Sequence, residues 1–322
     1  MEANHPRSLR AVGARRVVLA LVALALAVSG AVALTQPRRP TPVRALAELT
    51  PTPTPSPAPT PRPLLRVTSP SAAPAPIAPV VPVVGADVSW PNCPLGTRGA
   101  LPGKQPKGLG MPGPEAQFVV IGLTNGPGFY PNPCLAAQVR GAQRRHLLTA
   151  AYAFTTLPNA SQIRRYGDSG PYSTGTALGR VRNAAYAEAQ VNVASLRRTG
   201  LRTPIVWMDV EPQDYLEPWG TDVRTNVAVI RAAQSGYAQA GYATGFYSAP
   251  FAWKPITGDL RDPSPVWVTA GSRGRAEAQR RCDAPSFSGG PVALSQWWVV
   301  DVGDHDVTCP RARADVRRFF AP

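Results

Sequence analysis

Short apolar runs recur along the later part of the chain, at 83–89, 118–123, 148–154, 205–211, 243–247, 266–269 and 293–299. Their length and their content of branched and aromatic residues read as strands, several apolar enough to be buried on both faces. Between the earlier ones lie stretches with apolar positions three and four apart, at 135–145, 176–199 and 226–240, and these read as helices. Gly200 and Gly241 follow two of them where a left-handed cap is wanted. Strands alternating with helices predict a parallel α/β fold. Helical periodicity weakens after residue 270, so the pattern points to a barrel with fewer helices in its last third.

The run at 205–211 carries the first sign of chemistry. Ile205, Val206, Trp207, Met208 and Val210 are apolar, yet Asp209 and Glu211 interrupt them at the C-terminal end. Side chains at i and i+2 of a strand share a side. Two buried like charges repel and lose hydration, which drives one of them towards its protonated form, as a general acid requires. The same two acids could also simply end a strand by reaching solvent or loop amides.

Composition divides the chain. The first 84 residues contain no Trp, Cys or Tyr, whereas all seven Trp and all four Cys follow. Four arginines, Arg7, Arg10, Arg15 and Arg16, precede an 18-residue run free of charge at 17–34, and Ala31-Val32-Ala33 fits a cleavage site. Residues 1–35 therefore read as a signal peptide or a membrane anchor, and either places the rest outside the cytoplasmic membrane. Residues 36–84 read as a disordered Pro-rich linker, with 15 Pro between Gln36 and Val83. Fully extended at about 3.1 Å per residue it would reach roughly 150 Å. Residues 85–322 remain for one barrel-sized domain.

The net charge of +15 is spread over both parts and could suit nucleic acid, anionic lipid or an anionic wall polymer, and charge alone does not choose among them; the arginine pairs lack interleaved aromatics, which argues against nucleic acid. An even set of cysteines in an exported chain predicts disulfides. Of three possible pairings, Cys93 with Cys134 and Cys282 with Cys309 join sequence neighbours. No Cys-x-x-Cys is present, and only His146 and His305 occur in the domain. Neither a metal nor a cofactor is expected, and the domain is expected to be a monomer.

Other acids stand at strand ends. Asp87 closes the first predicted strand in Gly85-Ala86-Asp87-Val88-Ser89-Trp90, and Asp301, Asp304 and Asp306 follow the last one. In a parallel barrel the first and last strands are neighbours and all C-terminal ends share one face, so these acids would converge with Asp209 and Glu211. Trp90, Trp219, Trp253 and Trp298 lie near predicted strand ends or in loops, where they could stack on sugar rings; Trp207 and Trp267 sit inside strands and read as core.

Six motifs in order, from Gly85 to about Phe320, resemble glycoside hydrolase family 25, the Chalaropsis-type lysozymes, and related actinobacterial glycoside-hydrolase-like domains. They are Gly85 to Ser89, Tyr152-Ala153-Phe154, Asp209-Val210-Glu211, Tyr247-Ser248 with the later Trp253, Trp267 to Ala270, and Ser295-Gln296-Trp297. The resemblance implies an irregular TIM-like (β/α) barrel of about five β/α units followed by mostly bare strands. It also implies a lysozyme-like hydrolase cleaving β-1,4 bonds of peptidoglycan or a related wall glycan, with Glu211 as general acid, Asp209 assisting and Asp87 positioning. Asp304 matches the family's last acid and Asp306 is the spare. Tyr152, Tyr247, Trp253, Gln296, Trp298 and Trp90 would contact substrate. The chain departs from the family at Gly122-Leu123-Thr124-Asn125-Gly126, which lacks the usual charges, at Ala153, where His is common, and in a Gly- and Pro-rich insertion at 94–114. These departures leave a catalytically weak or inactive glycan-binding envelope protein on the same barrel as the alternative.

Overall fold

The computed structural model describes residues 83–212 and 219–322. The expected signal or anchor at 1–35 and nearly all of the linker at 36–84 lie outside the described residues.

Eight strands close a barrel in sequential order. They are β1 (Val84–Val88), β2 (Phe118–Gly122), β3 (Leu148–Phe154), β4 (Ile205–Asp209), β5 (Ala243–Ser248), β6 (Val266–Thr269), β7 (Val292–Val299) and β8 (Gly303–Thr308). The first seven are parallel to their sequence neighbours, but β8 runs antiparallel to both β7 and β1. This corrects the expected contact between the first and last of seven parallel strands: an eighth strand lies between them. Reversal also turns the N-terminal end of β8 towards the face where the other strands end.

The helical connections follow β2 to β6. They comprise α1 (Leu135–Arg144), α2 (Ala160–Tyr166) with α3 (Ala177–Thr199), α4 (Val223–Gln239), α5 (Pro250–Thr257) and α6 (Gly274–Arg281). The crossover from β1 to β2 is instead the insertion at 94–114, with only a 3₁₀ turn, Trp90–Asn92, before it. Gly200 caps α3 at φ 68°, and Asp222 caps α4 by accepting from the Arg224 amide, starting that helix three residues earlier than its periodicity predicts.

Alternation along the strands separates two cores. Outward residues such as Val119, Ile121, Val206, Met208 and Phe246 pack under the helices, while Phe118, Val120, Tyr152, Ile205, Trp207, Tyr247, Trp267 and Leu294 fill the barrel. Large inward aromatics are accommodated by inward glycines: a Cβ at Gly85 would lie 2.5 Å from the Phe118 ring, and one at Gly245 would strike Trp207. The chain returns after β8 to plug the opposite end. Phe319 stacks on Trp207 at 6.1 Å and Phe320 lies 4.5 Å from Phe118, held by paired backbone bonds between Thr149 and Ala321.

Disulfides join Cys93 to Cys134 and Cys282 to Cys309. The first ties the insertion to the start of α1; the second ties the end of α6 to the end of β8. Each closes a loop that is worth about 3.5 to 4 kcal/mol in the chain-entropy model.

Candidate active site

Because Asp209 ends β4 and Glu211 follows two residues on, both side chains continue the inward row begun by Ile205 and Trp207. The strand end is fixed from three sides. The Thr155 amide donates to the Asp209 carbonyl and the Val210 amide to the Tyr247 carbonyl. Ser248 Oγ donates to the Val210 carbonyl, and Trp219 Nε1 to the Glu211 carbonyl at 2.9 Å. Asp87 comes from the end of β1, and Asp304 and Asp306 are alternate, inward residues of β8, paired in register with Trp298 and Gln296.

All of these but the fully buried Asp306 open on one cavity of about 300 Å³, lined by Asp87, Tyr152, Phe154, Asp209, Glu211, Tyr247, Trp267, Gln296, Trp298 and Asp304. Its floor is a hydrogen-bonded chain. Tyr247 Oη donates to Gln296 Oε1 at 2.8 Å, and Gln296 Nε2 donates to Asp87 Oδ2 at 2.9 Å. Trp267 Nε1 donates to Asp306 Oδ1 at 2.8 Å. The other Asp306 oxygen has no donor and faces the Asp87 carboxyl. Two such carboxyls form a hydrogen bond only when one carries the proton.

Five acids in one barrel mouth oppose their own ionisation. Burial raises Asp87 well above the usual carboxylate range, with Asp304 and Asp306 adding to it, while the bond from Gln296 acts the other way. Asp209, 3 % exposed and with Oδ1 lacking a donor, is raised by burial and then by Glu211. Burial also raises Asp306. Glu211 sits nearer the opening and is pushed up to about 7, by burial first and by Asp304 second. Burial moves Asp304 to about 6. Two ammonium groups temper this field: Lys104 lowers Asp209 and Lys107 lowers Asp304.

Both lysines belong to the insertion, which is bound down beside the mouth and does not line the cavity. The Asn125 side chain accepts from the Leu101 amide and donates to the Lys104 carbonyl, Asn92 Nδ2 donates to the Gly110 carbonyl, and Arg145 clasps the carbonyls of Pro112 and Gly113. The sequence did hold a signal for this: the chain has only three Lys, two of them in this insertion.

Of the residues singled out by sequence, Asp87, Asp209, Glu211, Asp304, Tyr152, Tyr247, Gln296 and Trp298 meet at the cavity. Two do not. Trp253 is 2 % exposed, packed against Phe246 and Phe287, with Nε1 donating to the Leu260 carbonyl, so it is a core residue of α5. Trp90 lies outside the lining, beneath Lys104 Nζ at 5.8 Å from its ring centre. Sequence reasoning missed Phe154 and underrated Asp306 and Trp267. Trp267 is core as expected, but its indole N–H also serves Asp306 and its edge reaches the cavity. Among the described residues, no set of three or more His, Cys, Asp or Glu is arranged to hold a metal ion.

The chain is similar to solved lysozyme structures. One is a family GH25 lysozyme from Aspergillus fumigatus, at 18 % identity and TM-score 0.46, covering 73 % of this chain and 98 % of that one. A bacterial lysozyme from Streptomyces coelicolor gives 16 % identity and TM-score 0.47, covering 74 % and 99 %. The modular autolysin LytC from Streptococcus pneumoniae gives 15 % and 0.46, covering 72 % of this chain and 47 % of that one. No family model and no curated protein matches the sequence.

Proposed function

We propose that the protein is an exported glycoside hydrolase, lysozyme-like, that cleaves β-1,4 bonds of peptidoglycan or a related wall glycan. Residues 1–35 serve as signal or anchor, 36–84 as spacer and 85–322 as the acting domain, a monomer at the cell wall. One observation carries the reading: a carboxyl raised to about 7 by burial stands at the opening of a cavity lined by three further acids, Asp87, Asp209 and Asp304. A glycosidase needs one protonated carboxyl at the leaving oxygen and negative charge beside the developing oxocarbenium. Glu211 fills the first role at neutral pH. Its proton passes to the glycosidic oxygen as the C1–O bond breaks, and the leaving sugar departs with that proton as a hydroxyl. Asp304, ionised above about 6, supplies charge opposite the cation, and Asp209 assists by orienting the acetamido group or by taking a proton from the attacking water. Asp87, fixed by Gln296, positions the sugar.

A second reading has its own support. Asp87, Asp209 and Asp306 are so raised by burial that neutral carboxyls at these places would bind a glycan by hydrogen bonds without stabilising a cation. Incubation of the full chain with purified peptidoglycan between pH 4 and 8 decides, with new reducing ends read by mass spectrometry. Ends that appear with the wild type and not with Glu211→Gln support the enzyme. Retained glycan binding without products at any pH leaves the binding protein, and equal products from both chains remove Glu211 as the acid.

A further inference from the structure

The hairpin that closes the barrel ends in an apolar tip. β7 and β8 are paired from Leu294 and Thr308 out to Val299 and Gly303, and the turn between them is Val300-Asp301-Val302, with the Val302 amide donating to the Val299 carbonyl. Turn geometry accounts for two residues: Asp301 at φ 59° and Gly303 at φ 118° take conformations that Asp and Gly tolerate. It does not account for Trp298, Val299, Val300 and Val302, which are 41 % to 69 % exposed. Of the eight large hydrophobic side chains exposed among the described residues, four are in this tip, and Phe251 adjoins them across a hollow shared with Trp298. Scattered exposed apolar residues need no cause, whereas a contiguous set on a projecting turn marks a contact surface.

Cations flank the tip on both sides. On one side the insertion runs past the base of the turn, where Leu109 Cδ1 lies 3.7 Å from the place a Cβ on Gly303 would take. Its exposed Lys107 acts on Asp304 of the same hairpin. On the other side Gly271 lies beside the Trp298 indole, and Arg273 and Arg281 line the hollow there. Glu277 binds Arg273, Arg280 and Arg281 at 3.7, 2.7 and 2.9 Å, so this cluster keeps a surplus of two positive charges. Asp301 is the single acid of the turn and is exposed at its apex.

An exposed Trp beside branched apolar residues, ringed by Lys and Arg, matches the boundary of a bilayer. Apolar side chains enter the acyl edge, the indole sits at headgroup depth and the cations meet anionic headgroups. We propose that the tip between β7 and β8 docks the domain on a membrane rich in anionic phospholipid, with Val300 and Val302 dipping in and Lys107 and Arg273 on the headgroups. Contact is shallow, because Asp301 stays with water. Trp298 and Asp304 belong to the same hairpin and line the acidic cavity, so docking holds that mouth at the lipid surface. The docking surface stands whether or not the cavity cleaves a glycan.

The test uses the full chain with Val302→Cys labelled by the environment-sensitive fluorophore NBD, since all four native cysteines are in disulfides. Ser235→Cys, on α4 near the start of β5 at the opposite end of the barrel, carries the same label as a reference. Both chains keep residues 17–34, so a membrane contact made there affects them alike. Vesicles of phosphatidylcholine are compared with vesicles of equal parts phosphatidylcholine and phosphatidylglycerol. On the anionic vesicles the label at 302 should shift to the blue and be quenched by doxyl lipid, while the label at 235 stays in water. Lys107→Gln with Arg273→Gln should raise the lipid concentration at half-shift about tenfold, and salt should act the same way. Val299→Ser with Val300→Ser should raise it severalfold and leave Tm unchanged, since both side chains are exposed. Equal signals at 302 and 235, or equal shifts on neutral and anionic vesicles, overturn the proposal. A shift at 302 that appears without lipid and grows with protein concentration assigns the tip to a second copy of this chain, and overturns it as well.

Discussion

Glu211→Gln should make the protein more stable, and only at high pH. In the fold Glu211 titrates at about 7, against an ordinary Glu value of about 4.3. Below about pH 4 the group is protonated in both states and contributes nothing. Between about 4.5 and 7 the folded state holds a proton that the unfolded chain has released, so stability declines as pH rises, and the whole penalty is present above about 7. A rise from about 4.3 to about 7 corresponds to about 3.5 to 4 kcal/mol at 1.36 kcal/mol per unit. Glutamine keeps the shape and the carbonyl but never ionises. Over the 238 residues from 85 onward (322 − 84), that difference should raise Tm by about 7 to 15 °C at pH 8. Thermal unfolding of wild type and Glu211→Gln at pH 4, 6 and 8 measures it. The two chains should coincide at pH 4 and diverge progressively. A difference independent of pH, or a variant less stable than wild type at pH 8, would refute the view that Glu211 is a strained, desolvated acid.

Other consequences follow from the same site. Hydrolysis, followed as reducing ends from pH 4 to 9, should decline above about pH 7 as Glu211 loses its proton; a rate still rising at pH 9 contradicts its role as acid. Trp253→Ala should cost about 3 to 5 kcal/mol by emptying a core position, measured by urea unfolding, whereas Trp298→Ala should change stability by less than about 1 kcal/mol and weaken glycan binding severalfold by calorimetry. Cys93→Ser with Cys134→Ser should lose roughly 3 to 4 kcal/mol of stability, visible as a lower urea midpoint, and should free the insertion that carries Lys104 and Lys107.

The parts of the molecule that were legible are those where side-chain period and packing agree. β3 and β6 match their expected bounds because every residue in them is apolar or small, and the row Trp207, Asp209, Glu211 follows from period two alone. β8 was not legible, since its inward positions are Asp304, Asp306 and Thr308 and its sequence looks like a solvated turn. A strand that lines a polar mouth reverses the usual pattern, with Val307 facing out to pack. The short helices escaped for other reasons. α5 contains Pro250 and Pro255, which hide the spacing of Ala252, Trp253 and Ile256 that turns Trp253 inward, and α6 buries only Ala278.

Barrel closure has an order in time. A chain made from its N-terminus delivers Asp87, Asp209 and Glu211 well before β8 and the residues that plug the barrel, and β1 cannot pair with β8 until residue 308 is available. Until Phe319 and Phe320 are inserted, the Phe118 and Trp207 faces remain uncovered. With this topology the acids have no closed mouth around them until the eighteen residues from 303 to 320 are in place, and that stretch alone turns an open sheet into a barrel.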